Sequence, residues 1–125
     1  MKKSLPTLAF LIALTAPLAW AEALQSEPTR ADVVVYGATP AGIAAAVAAE
    51  RAGASVIVLE HGTRIGGMMA SGLGHTDVGD NRTIGGFAAE VFHRISEKYG
   101  VDHTFYFQPH VGAQVFDEIL AATDI

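Results

Sequence analysis

Asp32-Val33-Val34-Val35-Tyr36-Gly37-Ala38-Thr39-Pro40-Ala41-Gly42 is the stretch that decides the fold. Its first half is a β-branched run ending in glycine. A continuous apolar run of this kind predicts a strand buried on both faces, as in a parallel sheet. Its second half opens a helix. Thr39 is a favourable N-cap, and Pro40 falls at the first helical position, where its missing N–H costs nothing. Residues 40–52 are nearly all Ala, Ile and Val, and alanine is the strongest helix former. Gly53 then supplies a residue that tolerates the left-handed backbone at a helix end. Ser55-Val56-Ile57-Val58-Leu59 predicts a second buried strand, closed by Glu60. Strand, helix and strand in succession make a βαβ unit, for which a right-handed crossover is expected.

Working outward, residues 61–83 hold six of the thirteen glycines: Gly62, Gly66, Gly67, Gly72, Gly74 and Gly79. This predicts a long loop, and a loop of that length in a compact domain is usually functional. A helix is predicted over residues 86–99, with Phe87, Val91, Ile95 and Tyr99 on one face and Gly100 stopping it. That stripe reads as core. Phe105-Tyr106-Phe107 suggests a short strand. Pro109 opens a last helix with Val111, Val115 and Ile119 on one face and Phe116 and Leu120 beside them. Only two parallel strands are legible, fewer than a doubly wound sheet needs. The chain is therefore expected to be the front part of a longer protein.

At the other end, residues 1–21 predict a secretory leader. Lys2 and Lys3 are basic, residues 8–18 are apolar, and Ala19-Trp20-Ala21 offers a small-x-small cleavage site. The apolar run is short for a membrane span, and Pro17 interrupts it. The expected location is periplasmic or secreted, with no membrane attachment once the leader is cut. Residues 22–31, with Pro28, read as a linker. Loss of Lys2 and Lys3 moves the net charge from −5 to −7, which argues against nucleic acid as a partner. The chain has no cysteine, so disulfides, thiolate metal sites and thiol nucleophiles are excluded. Five histidines are present, but none are paired at metal-ligand spacing, and no metal site is expected.

The chemistry centres on Gly37, Ala38, Thr39, Pro40, Ala41 and Gly42, which lie where a dinucleotide fingerprint belongs: after a strand and opening a helix. In G-x-G-x-x-G the first glycine makes the turn, the second lets pyrophosphate approach and the third packs helix on strand. Gly37 and Gly42 fill the first and third places, and Thr39 occupies the second. The helix N-terminus offers N–H groups and a positive dipole end to phosphate. Glu60 lies 23 positions after Gly37, where a carboxylate accepts from ribose hydroxyls and repels a 2′-phosphate. Arg64-Ile65-Gly66-Gly67 follows, with Ser71 four residues later. Its glycines allow close backbone approach to a cofactor, and its arginine can neutralise a diphosphate.

Arg64-x-Gly66-Gly67 behind the 37–42 turn resembles the R-x-G-G pattern of flavoproteins with two dinucleotide-binding domains. Ser71-Gly72-Leu73-Gly74, Thr76-Asp77, Ile84-Gly85-Gly86 before a helix carrying Glu90, and Gln108-Pro109-His110-Val111 narrow it further. Together they resemble the FAD-dependent oxidoreductase family of exported bacterial flavoproteins. Gln108 stands where that family commonly has an acid. The resemblance implies an α/β, Rossmann-like FAD-binding βαβ unit, incomplete here, with residues 32–125 forming the N-terminal part of the FAD-binding domain. It implies FAD as cofactor, with the 37–42 turn on pyrophosphate, Glu60 on ribose, and Arg64, Gly66 and Gly67 lining the cofactor. It also implies hydride transfer from a small-molecule substrate, with the remaining C-terminal part of the same enzyme as partner. No catalytic residue is assigned. His75 and His110 are polar candidates in a loop and at a helix start. Two alternatives stay open: a nucleotide-binding module without catalysis, and part of an NAD-binding dehydrogenase.

Overall fold

A computed structural model describes residues 29–125; the leader and most of the linker read from the sequence lie outside them. From Ala31 onward the chain forms one unit. Val33–Tyr36 is strand β1 and Val56–Leu59 is strand β2. They pair in parallel, with Val33 opposite Val56, Val34 opposite Ile57, Val35 opposite Val58 and Tyr36 opposite Leu59. Between them runs helix α1, Pro40–Arg51. This is the predicted βαβ unit, and its class is α/β and Rossmann-like. The entrance to the strand pair is tied by Asp32, whose Oδ2 accepts from the Ser55 N–H at 2.9 Å and from the Ser55 hydroxyl at 2.7 Å.

Side chains alternate along a strand. Val33 and Val35 are half-buried, while Val34, Tyr36 and Leu59 are exposed. The expectation of strands buried on both faces therefore fails on one face: the main helix-to-sheet packing among the described residues comes from α1. β-branched side chains specify a strand, but they do not say how many faces are covered.

The stretch read as a continuous loop contains two short helical pieces. Helix α2 spans Gly67–Ser71, and a 3₁₀ turn spans Asn81–Thr83. Gly66 and Gly67 both adopt positive φ, +90° and +51°, so the glycines set the entry to α2 rather than preventing a helix. Asp80 caps the 3₁₀ turn, its Oδ1 accepting from the Arg82 N–H at 3.0 Å. The strand expected at residues 105–107 reduces to one antiparallel bridge between His75 and Tyr106. Thr104 explains the interruption: its hydroxyl donates to the Tyr106 carbonyl and accepts the Tyr106 N–H, so both local groups are occupied.

Helix α3 is Gly86–Tyr99 and helix α4 is Pro109–Ala121, both at their expected positions. Gly100 closes α3 in the left-handed conformation, φ +64°. Ile43 and Val47 of α1, Val91 and Ile95 of α3, and Val115, Phe116 and Ile119 of α4 share one core with Ala38 and Phe107. Each large side chain fully buried there contributes about 1.5–3 kcal/mol relative to exposure. Ser96 is the buried polar exception, and it is satisfied: its hydroxyl donates to the Phe92 carbonyl at 2.7 Å and accepts the Thr104 N–H at 2.9 Å. Among the described residues no helix is long and apolar enough to cross a membrane.

Candidate FAD site

The site begins where β1 runs out. The Gly37 N–H donates to the Leu59 carbonyl at 2.7 Å, one step beyond the last strand pair. Gly37 then turns the chain with φ +103°, a conformation glycine reaches without a Cβ penalty. Ala38, next along, is 1% exposed. Thr39 caps α1 as its sequence position predicts: its Oγ1 accepts the Gly42 N–H at 3.1 Å and its carbonyl accepts the Ile43 N–H at 2.8 Å. Pro40 is the first helical residue. The turn thus presents the positive end of a 12-residue helix beside an open glycine, where no atom lies within 4 Å of an added Cβ.

Gly42 fills the third glycine place for the reason its position implies. A Cβ built there would overlap the Gly37 carbonyl oxygen and lie 3.3 Å from Val35 Cγ1. Helix, turn and strand meet at that one Cα.

Glu60 emerges from the end of β2 beside the turn. Its Oε2 accepts the Ala38 N–H at 2.7 Å and its Oε1 accepts the Gly62 N–H at 2.7 Å. The His61 ring nitrogen Nδ1 lies 3.2 Å from the same Oε1. The Gly62 and Ala38 N–H bonds, followed by the His61 charge, hold the Glu60 carboxyl below the ordinary glutamate value. It is therefore an anion at neutral pH, with lone pairs left over for hydroxyl donors.

The R-x-G-G loop is joined directly to the turn. The Gly66 N–H donates to the Ala38 carbonyl at 2.7 Å. A Cβ at Gly66 would lie 2.6 Å from Phe116 Cδ2, and one at Gly67 would lie 3.2 Å from Pro40 Cδ. Gly66 thus has a protein neighbour that excludes a side chain, and Gly67 a closer-than-usual one, apart from any cofactor approach. Arg64 sits apart from these contacts. It is exposed and lines an open cleft of about 640 Å³ with Ser71, His110, Gln114 and Asp117. Among the described residues it forms no ion pair, whereas Arg51, Arg82, Arg94 and Lys98 all do.

The structure brings Gly37, Ala38, Thr39, Pro40, Ala41, Gly42, Glu60, Gly66 and Gly67 into one hydrogen-bonded and packed group. His75 is exposed and packs edge-on against Tyr106, with ring centroids 4.1 Å apart. His110 is the second residue of α4 and faces the Arg64 cleft. One feature escaped the sequence. An apolar cleft of about 240 Å³ starts at Pro40 and Ala41 and is walled by Met69, Phe87, Phe92 and Phe116. These residues come from four helices, so spacing along the chain could not assemble them. The Phe87–Val91 stripe, read as core, was its one local trace.

A dinucleotide needs an open turn at a helix N-terminus, a carboxylate at the neighbouring strand end, and backbone pinned closely enough to hold both. The described residues meet all three requirements. The chain belongs to the FAD-dependent oxidoreductase family: the family's pattern matches residues 32–125. FAD is accordingly its cofactor. No curated protein and no solved structure gives a significant match to the chain.

Proposed function

We propose that this chain is the FAD-binding front of an exported oxidoreductase that removes hydride from a small-molecule substrate. The observation that carries the reading is the linked group at the end of the sheet. Ala38 joins the phosphate turn, the Glu60 carboxylate and the R-x-G-G loop through hydrogen bonds of 2.7 Å at its own N–H and C=O.

In this reading the positive end of α1, with the Ala41 N–H left over once Gly42 and Ile43 donate to Thr39, faces the cofactor's diphosphate across the open Gly37 turn. Pro40 and Gly42 shape that turn, and the Ala38 and Ala41 backbone lines it. The Thr39 hydroxyl, whose oxygen already caps the helix, keeps its proton for a phosphate oxygen. Glu60 accepts from the ribose hydroxyls. Gly66 and Gly67 carry the chain along the cofactor. Arg64 supplies a charge toward the diphosphate, supported by its lack of an ion pair. Bound flavin supplies the redox chemistry; the protein supplies position and electrostatics.

The exposed Val34, Tyr36 and Leu59 support coverage of the open sheet face by further polypeptide of the same enzyme. The leader at residues 1–21 supports export to the periplasm or medium, and the acidic charge supports a small molecule over nucleic acid as partner.

The test is retention of flavin. The purified chain is mixed with FAD, desalted and examined for visible flavin absorption. Retention at about one flavin per chain supports the reading, and its loss in Gly37→Val places the cofactor on the turn. A folded chain that passes through desalting colourless refutes it. Cell fractionation tests export separately, and anaerobic bleaching of the flavin by candidate donors tests hydride removal.

A further inference from the structure

We propose that Glu60 is a positioning residue as well as a ribose ligand: its carboxylate sets the shape of the phosphate turn before any nucleotide arrives. The inference rests on the FAD reading for the ligand but on the protein alone for the device.

The two oxygens of Glu60 hold N–H groups from two different segments. Ala38 lies 22 residues upstream, in the turn, and Gly62 lies two residues downstream. The Glu60 side chain is only 18% exposed and Ala38 only 1%. Taking the carboxylate away would leave the Ala38 N–H buried without a partner, and a buried orphan donor is expensive. The charge strengthens both bonds.

The covalent chain does not otherwise fix this turn. Gly37 has the widest backbone freedom of any residue, and the space where a Cβ would stand is open. The Thr39 cap defines the start of α1 but lies beyond Gly37 and Ala38. Beside the packing of the Ala38 methyl group in the core, three hydrogen bonds pin the turn among the described residues: Gly37 N–H on Leu59, Gly66 N–H on the Ala38 carbonyl, and Ala38 N–H on Glu60. Only the last is made by a side chain. Among the described residues Glu60 is thus the one side chain whose substitution directly deletes a hydrogen bond to Gly37 or Ala38. The same carboxylate that reads the sugar also holds the amide next to the diphosphate. Sugar recognition and phosphate recognition are therefore coupled through one residue.

The test uses ADP and 2′,3′-dideoxy-ADP, which differ only in the ribose hydroxyls, with the whole chain and its Glu60→Leu and Glu60→Asp variants. Leu has no acceptor for either N–H, whereas Gln would keep one. Titration calorimetry reads affinity, and amide hydrogen exchange reads Ala38 and Gly62 in the ligand-free protein, with Ile43 as a reference amide. In Glu60→Leu the Ala38 and Gly62 amides should exchange on the order of tenfold faster while Ile43 is unchanged. Dideoxy-ADP should bind on the order of tenfold more weakly, although it offers no hydroxyl to Glu60. Glu60→Asp keeps the charge and should restore part of both effects; it also carries the comparison if the Leu variant does not fold.

A loss confined to ADP, with dideoxy-ADP bound as by wild type, overturns the proposal and leaves Glu60 a ribose ligand only. Unchanged Ala38 exchange overturns it as well. If wild type binds neither nucleotide while Ala38 exchange still responds to Glu60→Leu, the positioning role stands and the cofactor reading fails.

Discussion

Gly42→Ala puts the packing of the site to the sharpest test. The new methyl group would overlap the Gly37 carbonyl oxygen and press on Val35 Cγ1 at 3.3 Å. Neither neighbour is the far end of a flexible side chain, so the turn or the strand–helix spacing has to move. Overpacking against backbone costs about 3 kcal/mol, the upper part of its usual range. Alanine in a helix regains about 1 kcal/mol over glycine. The net loss is about 2 kcal/mol, which for a unit of this size lowers the melting temperature by about 10 °C. Gly53→Ala is the matched control. Gly53 has φ +89° but nothing within 4 Å of an added Cβ, so its cost is backbone strain alone, about 1–2 kcal/mol. The assay is thermal melting of both variants, followed by FAD titration well below their transitions. Gly42→Ala should lose flavin affinity in the folded protein, because relieving the overlap displaces Gly37; Gly53→Ala should bind as wild type. A Gly42→Ala protein that melts within about 2 °C of wild type and retains flavin would show that the turn yields freely, and the description of the site would fall.

Gly66→Ala, with φ +90° and Phe116 Cδ2 at 2.6 Å from the new methyl group, should destabilise more than Gly67→Ala, by about 1–3 kcal/mol, in urea unfolding; the reverse order would contradict the loop packing. Ser96→Ala strands the half-buried Thr104 N–H and should cost about 1 kcal/mol, with a cost near zero ruling out that hydrogen bond. Acid should destabilise the unit in a specific window. Ser55 hydrogen bonds, side chain first and then backbone, hold Asp32 below its ordinary value, and the Gly62 and Ala38 bonds do the same for Glu60. Stabilisation from such depressed carboxylates is complete above the unfolded-state pKa and lost as pH falls through the folded values. Melting temperature should therefore hold from pH 7 to about pH 5 and drop below about pH 4. Asp32→Asn should shrink that acid limb, and an unchanged limb would remove Asp32 from the account.

The elements with one strong local cause were legible in the sequence. Thr39, Pro40 and the alanines dictate α1 whatever surrounds it, and Gly100 ends α3 by its own backbone freedom. Val33–Tyr36 and Val56–Leu59 could be read as parallel strands, but not the exposure of Val34 and Tyr36, because coverage depends on which elements pack above the sheet. Glycine density hid α2: Gly66 and Gly67 look like loop, yet their positive φ values are what steer the chain into a helix. Thr104 cut the expected strand at residues 105–107 by a local hydrogen bond that spacing does not show. At the site, the positions of the turn and Glu60 were legible from the fingerprint. The clamp of Glu60 on Ala38 was not, since the fingerprint records what faces the ligand and says nothing of the bonds behind it.

The contact between Gly66 and the Phe116 ring carries a consequence for genetics. Phe116 belongs to α4, lies outside the glycine motifs, and stands 50 positions downstream of the loop it supports. A random-mutagenesis screen for colourless protein should therefore recover lesions in α4 as well as in the glycine motifs. Sorted by position alone, such lesions would look like a second cofactor site. Sorted by contact, they trace a single wall, and second-site revertants of a Phe116 lesion should fall at Ala70 and its neighbours in α2, where a bulkier side chain refills the space that the lost ring vacates.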